Sequence, residues 1–197
     1  DRGWRSGKLP RAVWLAALQT FLFAVLYFAF STNISLLLVE RGVTDTAMSG
    51  IATAIFMLGG CLFGFVFTRL LGLCKGWTAC LAFVLLAASY LVIYCFDGIV
   101  PLLAAAFVGG GSLSVIFPFF LVAGQVDPTV SVMASSLILS VGPNLGSFVS
   151  PMILTNLSRL LFGPGVSGRF LLAAILAVSL AGVLFALGLK KRGAAIK

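Results

Sequence analysis

The 197-residue chain has no histidine and only five acidic residues. The absence of histidine removes the commonest metal ligand, the Ser-His-Asp and Cys-His nucleophile systems and a histidine proton relay. Charged residues make up 9% of the chain and hydrophobic residues 61%, whereas about a quarter of a soluble globular domain is charged. A soluble domain is therefore excluded, and a disordered chain would need low hydrophobicity. The composition is that of a membrane protein.

Six long uncharged runs divide the sequence, and the shortest has 20 residues. About 20 residues of α-helix cross the hydrocarbon core of a bilayer, and the runs lack the alternation of barrel strands. The runs cover residues 12–39, 46–68, 76–96, 98–126, 128–158 and 170–189. We predict an all-α integral membrane protein with a six-helix bundle over residues 12–190. Too little chain remains for a soluble catalytic domain, so we expect no enzyme activity, metal or cofactor.

The basic residues are distributed asymmetrically. With six spans both termini share a side, and ten of the 13 Lys and Arg residues fall on that side. The three on the opposite side are Arg41, Arg159 and Arg169. By the positive-inside rule, both termini are cytoplasmic. We predict a basic cytoplasmic linker at residues 1–11, a cytoplasmic tail at 191–197 and a location in the plasma membrane, with no nucleic acid as partner.

The fifth span is the most polar, with 11 Ser, Thr, Asn and Gln residues against two in the third and one in the sixth. Ser136, Ser140, Asn144 and Ser147 follow one another at spacings of four, four and three, which places them on one helical face. Such a face should meet protein or water. The competing interpretation is that Asn144 hydrogen-bonds within its own bundle.

A weak repeat relates the second span to the fifth. A shift of 83 residues superposes identical residues at five positions. The pairs are Ile55 with Ile138, Gly59 with Gly142, Leu62 with Leu145, Phe65 with Phe148 and Val66 with Val149. Because three spans is an odd number, this pairing predicts two inverted three-helix repeats.

Three segments together resemble the carboxy-terminal half of a major facilitator superfamily transporter. Gly64, Thr68, Arg69, Gly72 and Lys75 are similar to the family's Gly-x-x-x-Asp-Arg-x-Gly-Arg-Arg cytoplasmic loop. Thr68 replaces the acid, and the step from Arg69 to Gly72 is one residue too long. The other two segments are the triple glycine 109–111 followed by Pro118, similar to the family's tenth helix, and residues 135–151, similar to its eleventh.

The resemblance implies a function and a set of sites. It implies secondary active transport of a small organic molecule, with efflux of amphipathic or drug-like compounds as the expectation, by alternating access with a missing amino-terminal half. The implied cavity is lined by Gln19, Phe23, Tyr27 and Phe30 of span one and Phe107, Gly111, Ser114 and Pro118 of span four. The implied contact with the other half is Ser136, Ser140, Asn144 and Ser147, and the implied cytoplasmic gating loop contains Gly64, Arg69, Gly72 and Lys75.

Alternatives remain open at this point. A self-contained six-span protein could pair with a second copy as a homodimeric channel or small transporter, and a scaffold subunit would have similar composition. Aromatic residues in membrane helices more often face lipid or another helix than a ligand. All five acids lie at the ends of spans or in loops, so we expect the coupling acid of a transporter in the other half, with Glu40 as the candidate exception.

Overall fold

The computed structural model describes residues 11–43, 45–74, 77–124 and 131–195, and all regular secondary structure in these ranges is helical. The helices are α1 (Arg11–Glu40), α2 (Thr46–Cys74), α3 (Thr78–Cys95), α4 (Ile99–Gly124), α5 (Ser131–Ser136), α6 (Gly142–Phe162) and α7 (Ser167–Ala195), with a π-helical turn (Leu137–Val141) joining α5 to α6. α5, the π-turn and α6 form one span, so six segments are long and apolar enough to cross a membrane. The prediction of six apolar helices, as in a multi-pass membrane protein, is confirmed.

Three helices extend by four or more residues beyond the carboxyl ends of the predicted uncharged runs. α2 continues to Cys74, the fifth span to Phe162, and α7 to Ala195. Arg and Lys are good helix formers, so a charge next to an apolar run does not end a helix. Residues 191–195 of the predicted tail are therefore the last turns of α7. Residues 1–10 of the predicted linker lie outside the described residues.

The turn between α1 and α2 is built from local hydrogen bonds. The amide of Gly42 donates to the carbonyl of Val39 (3.0 Å) and that of Val43 to Leu38 (2.9 Å). With φ at 74° for Gly42, these bonds form a Schellman motif, in which a left-handed glycine ends the helix. Asp45 then caps α2, because its Oδ1 accepts the amide of Ala47 at 2.9 Å.

α1 is the most deeply buried span. α2 packs mainly against α4, α3 against α4 and α7, and α1 against α6. The interior contains fully enclosed aromatic rings, among them Phe23, Phe30, Phe56 and Phe83. The outer surface is apolar too, with 79% of Phe65 and 73% of Phe148 exposed. An apolar surface of this kind suits a hydrocarbon environment, where only the helix contacts need close fitting.

The triple glycine of α4 lies at helix contacts. A Cβ on Gly110 would overlap the backbone carbonyl of Phe56, and a Cβ on Gly59 would overlap that of Phe107. α2 and α4 therefore approach each other backbone to backbone. α4 is one continuous helix through this segment, and its glycines permit this close packing.

Candidate functional site

The predicted cavity residues of α1 belong to an aromatic cluster in the bundle interior. Phe23 and Phe30 are fully buried, Tyr27 is 6% exposed and Gln19 is half-buried. Phe30 stacks on Phe56 of α2 with ring centroids 4.3 Å apart. The ring of Tyr27 lies 4.7 Å from the same ring, and Phe23 meets Phe83 of α3 edge-on. These aromatic side chains pack against α2 and α3, and their contact with substrate stays a prediction.

The predicted cavity residues of α4 face α2. Phe107 packs on the ring of Phe63 with centroids 6.0 Å apart. The Oγ of Ser114 donates to the carbonyl of Gly60, and the backbone of Gly111 lies against the Phe63 ring. The two predicted cavity faces therefore both meet α2, at Phe56 for α1 and two turns later for α4.

Pro118, the last predicted cavity residue, lies half-buried inside α4. Proline has no amide hydrogen, so the carbonyl of Ser114 one turn earlier lacks its usual helical donor. A carbonyl freed in this way accepts hydrogen bonds from other groups when a cavity or a neighbouring helix supplies them.

The polar face of the fifth span is uncovered. Ser136, Ser140 and Asn144 are exposed and Ser147 is half-exposed. The Nδ2 of Asn144 donates to the carbonyl of Ser140 at 2.8 Å, and the Oγ of Ser147 donates to the carbonyl of Asn144 at 2.9 Å. The bonds recorded for these side chains run within their own span. The face is thus available to a partner surface or to water.

The π-turn at Leu137–Val141 lies in the middle of this face, and its signal is present in the sequence. Pro143 cannot donate to the carbonyl of Leu139 and its ring would clash with that carbonyl in a regular α-helix. One extra residue in the turn relieves the clash, and the amide of Gly142 donates instead to Leu137, five residues back. The spacing argument assumed a regular helix and missed this turn, which begins directly after Ser136 and contains Ser140.

The predicted gating loop is wrong in its secondary structure. Gly64, Arg69 and Gly72 all lie on α2, which runs unbroken to Cys74, and Arg69 and Gly72 are exposed there. Lys75 lies outside the described residues. The motif therefore occupies the last three turns of a helix rather than a loop, because none of the residues from 64 to 74 interrupts helical hydrogen bonding.

A polar network at the opposite end of the bundle was not predicted. The Oε2 of Glu40 accepts the amides of Val166 (2.8 Å) and Ser167 (3.2 Å), so Glu40 caps α7. The Nη1 of Arg169 donates to the Oδ1 of Asn33 at 2.6 Å. These bonds join residues more than 120 positions apart, and chain spacing carries no signal for such contacts.

Arg41 belongs to the same end. Its side chain is 9% exposed, its Nε lies 3.3 Å from the Oδ1 of Asp97, and its Nη2 donates to the carbonyl of Ile93. Arg41 therefore ties the α1–α2 turn to the end of α3, and its partner is Asp97 rather than the adjacent Glu40.

Across the described ranges no three His, Cys, Asp or Glu side chains cluster where they could hold a metal ion.

The comparisons identify no relative. Comparison of the chain with protein-family models, with curated proteins and with solved structures finds no match.

Proposed function

We propose that the chain is one six-helix bundle of a secondary transporter for small organic molecules, with export of amphipathic or drug-like compounds as its activity. The observation that carries the proposal is the uncovered polar face of the fifth span. Side chains such as Ser140 and Asn144 gain little from lipid, since polar groups in membrane helices usually face protein or water. A second six-helix bundle would cover this face and close a cavity between the two.

The packing supports two inverted three-helix repeats within the bundle. If spans one, two and three correspond to spans four, five and six, the contact of α2 with α4 corresponds to that of α6 with α1. Both are major contacts here. Span three corresponds to span six, so the contact of α3 with α7 is its own counterpart. Gly59 and Gly142, paired by the 83-residue shift, both lie against the partner helix of their own crossing. Inverted repeats of this kind are common in secondary transporters.

The described acids support an ion-coupling site outside this bundle. Glu40 caps α7, Asp45 caps α2 and Asp97 pairs with Arg41, so each has a structural role at a helix end. We expect Glu40→Gln in the complete transporter to retain proton-driven transport. Loss of coupling with normal expression would instead place the coupling group at Glu40.

Two serine substitutions test the uncovered face. Ser140→Leu should reduce transport by the complete protein while leaving membrane insertion intact, because an added apolar residue favours insertion. The matched control is Ser179→Leu, since Ser179 is an exposed serine on α7 whose Oγ bonds within its own helix. Transport by the two variants is measured at equal expression. Equal transport by the two variants would show that this face of the fifth span does not form the proposed contact.

A second copy of the chain is the other candidate partner, and the same uncovered face favours it. The protein would then be a homodimeric channel or small transporter. Ser140→Cys in a background without native cysteines distinguishes the two. Rapid disulfide cross-linking to a second copy supports the homodimer. In the first proposal this single cysteine faces a different six-helix bundle, so absence of a cross-linked dimer at normal expression supports it.

The proposed orientation places the end of α2 in the cytoplasm and the α6–α7 turn outside. Arg69 and Pro164 are both exposed, so Arg69→Cys and Pro164→Cys report on opposite ends. In the background without native cysteines, an impermeant thiol reagent applied to intact cells should label the second variant alone, because native Cys95 is itself exposed at the end of α3. Labelling of the first alone would reverse the orientation.

A further inference from the structure

A small cavity lies where α6 meets α7, at the end of the bundle opposite Arg69. Its volume is about 130 Å³, several times the roughly 30 Å³ that one water molecule occupies in the liquid. The lining residues are Thr155, Ser158, Arg159, Gly163, Pro164 and Arg169. Two arginines and two hydroxyl-bearing residues thus line one opening, and no acidic residue is among its lining residues.

The positive charge of this cavity is uncompensated. Among the residues that the structure describes, neither Arg159 nor Arg169 lies within ion-pair distance of a carboxylate. The nearby carboxylate of Glu40 accepts the amides of Val166 and Ser167. The amino-terminal end of α7 is therefore already capped, and the cavity's attraction for an anion comes from the two arginines.

Arg169 is held in place by a buried amide. Asn33 is 2% exposed, and its Nδ2 donates to the carbonyl of Ala29 and the Oγ1 of Thr32, both at 2.9 Å. These two bonds fix the amide so that its Oδ1 accepts from the Nη1 of Arg169 at 2.6 Å. One nitrogen of the guanidinium is thereby anchored on α1, while the side chain also lines the cavity.

Helix electrostatics explain only one of the two arginines. Arg159 lies in the last turn of α6, where a cation is favourable next to the free carbonyls. Arg169 is the third residue of α7, where a cation is unfavourable because the amino-terminal end of a helix is itself positive. An anion between the two would offset this unfavourable placement.

We propose that Arg159 and Arg169 bind a phosphate group, either of free phosphate or of an anionic lipid headgroup. Guanidinium groups present planar pairs of N–H donors that match phosphate oxygens. Two such groups with the hydroxyl of Thr155 offer more donors than the two oxygens of a carboxylate can accept, while the Oγ of Ser158 donates to the carbonyl of Thr155 at 3.3 Å. The proposal does not depend on the transport activity proposed above.

The free-ion arm of the test measures inorganic phosphate binding to the full chain in neutral detergent by calorimetry, in chloride buffer. Arg159→Gln should weaken binding about tenfold or more, since hydrogen bonds to charged groups contribute about 1.5–3 kcal/mol. Arg159 is exposed, so this variant should fold. The control is Arg11→Gln, which removes an exposed arginine at the start of α1.

In the lipid arm, the protein is extracted from nanodiscs of phosphatidylcholine with and without phosphatidylglycerol. Native mass spectrometry then counts the lipid molecules that remain bound to it. Retention of phosphatidylglycerol by the wild type and by Arg11→Gln, but not by Arg159→Gln, identifies the lipid as the source. Phosphate binding without such retention identifies the free ion. Binding of both probes that is unchanged in Arg159→Gln and in Arg159→Glu overturns the proposal, as does the absence of binding in the wild type.

Discussion

The crossings of α2 with α4 and of α1 with α6 both place glycine against the backbone of the neighbouring helix, but they use glycine differently. In the first, each helix contributes a glycine that meets the other helix's backbone, Gly59 at Phe107 and Gly110 at Phe56. In the second, the glycines lie on one helix only. Gly146 lies against Ala24 and the carbonyl of Phe21, so α1 presents alanine where α4 presents glycine.

The difference has a physical consequence. Reciprocal glycines bring two backbones into contact over both helices, and no side-chain movement can make room there for an added methyl group. A glycine facing alanine leaves one methyl group in the gap, which another substitution can remove. The α2–α4 crossing should therefore tolerate less change than the α1–α6 crossing, although both use small residues for close approach.

The largest effect is expected for Gly110→Ala. Its Cβ would overlap the carbonyl of Phe56, so the helices must separate, at a cost above about 3 kcal/mol, the upper end of usual overpacking. The control is Gly182→Ala, because nothing lies within 4 Å of a Cβ there and alanine favours a helix by about 1 kcal/mol over glycine. The free energy of unfolding is measured by SDS titration in mixed micelles. Equal stability of the two variants would contradict the proposed backbone contact.

Gly146→Ala should destabilise less, by about 1–3 kcal/mol. Its Cβ would lie 2.7 Å from both the Cβ of Ala24 and the carbonyl oxygen of Phe21. Ala24→Gly removes the first of these contacts, so the double variant should recover part of the loss. A double-mutant cycle measures this coupling. Strictly additive effects would mean that the Phe21 carbonyl alone sets the distance between the helices.

The sequence predicts which segments form the spans better than it predicts which spans pack against each other. Uncharged runs predict the six helices because a bilayer requires long apolar segments that satisfy their own backbone hydrogen bonds. The helical spacing of Phe23, Tyr27 and Phe30 places them on one face of α1. Which helix covers that face depends on the packing order, and the structure places Phe56 there.

The ends of the helices and the polar network are harder to predict. The 64–74 segment continues α2 because Arg69 does not stop a helix, whereas Pro143 does carry a readable signal for the π-turn. Asn33 and Arg169 are 136 residues apart, and each alone reads as an ordinary polar residue near a span end. The candidate phosphate site therefore appears only when α1, α6 and α7 are assembled.

The smallest effect is expected from the loss of one hydrogen bond at either crossing. The Oγ of Ser150 donates to the carbonyl of Val25 at 2.6 Å, and the Oγ of Ser114 donates to the carbonyl of Gly60. Each removed bond should cost about 0.6 kcal/mol, and at most about 1.7, as is usual between membrane helices. The cost stays small because a carbonyl inside a helix keeps its backbone donor after the serine is replaced.

Ser114→Ala and Ser150→Ala should therefore destabilise the bundle to a similar extent in the same SDS titration. Ser147→Ala is the control, because its Oγ bonds within its own span to Asn144 and its loss leaves the crossing intact. A much larger loss for Ser114→Ala would show that the backbone contact at Gly59 and Gly110 depends on this hydroxyl. The two crossings would then differ in their polar bonds as well as in their glycines.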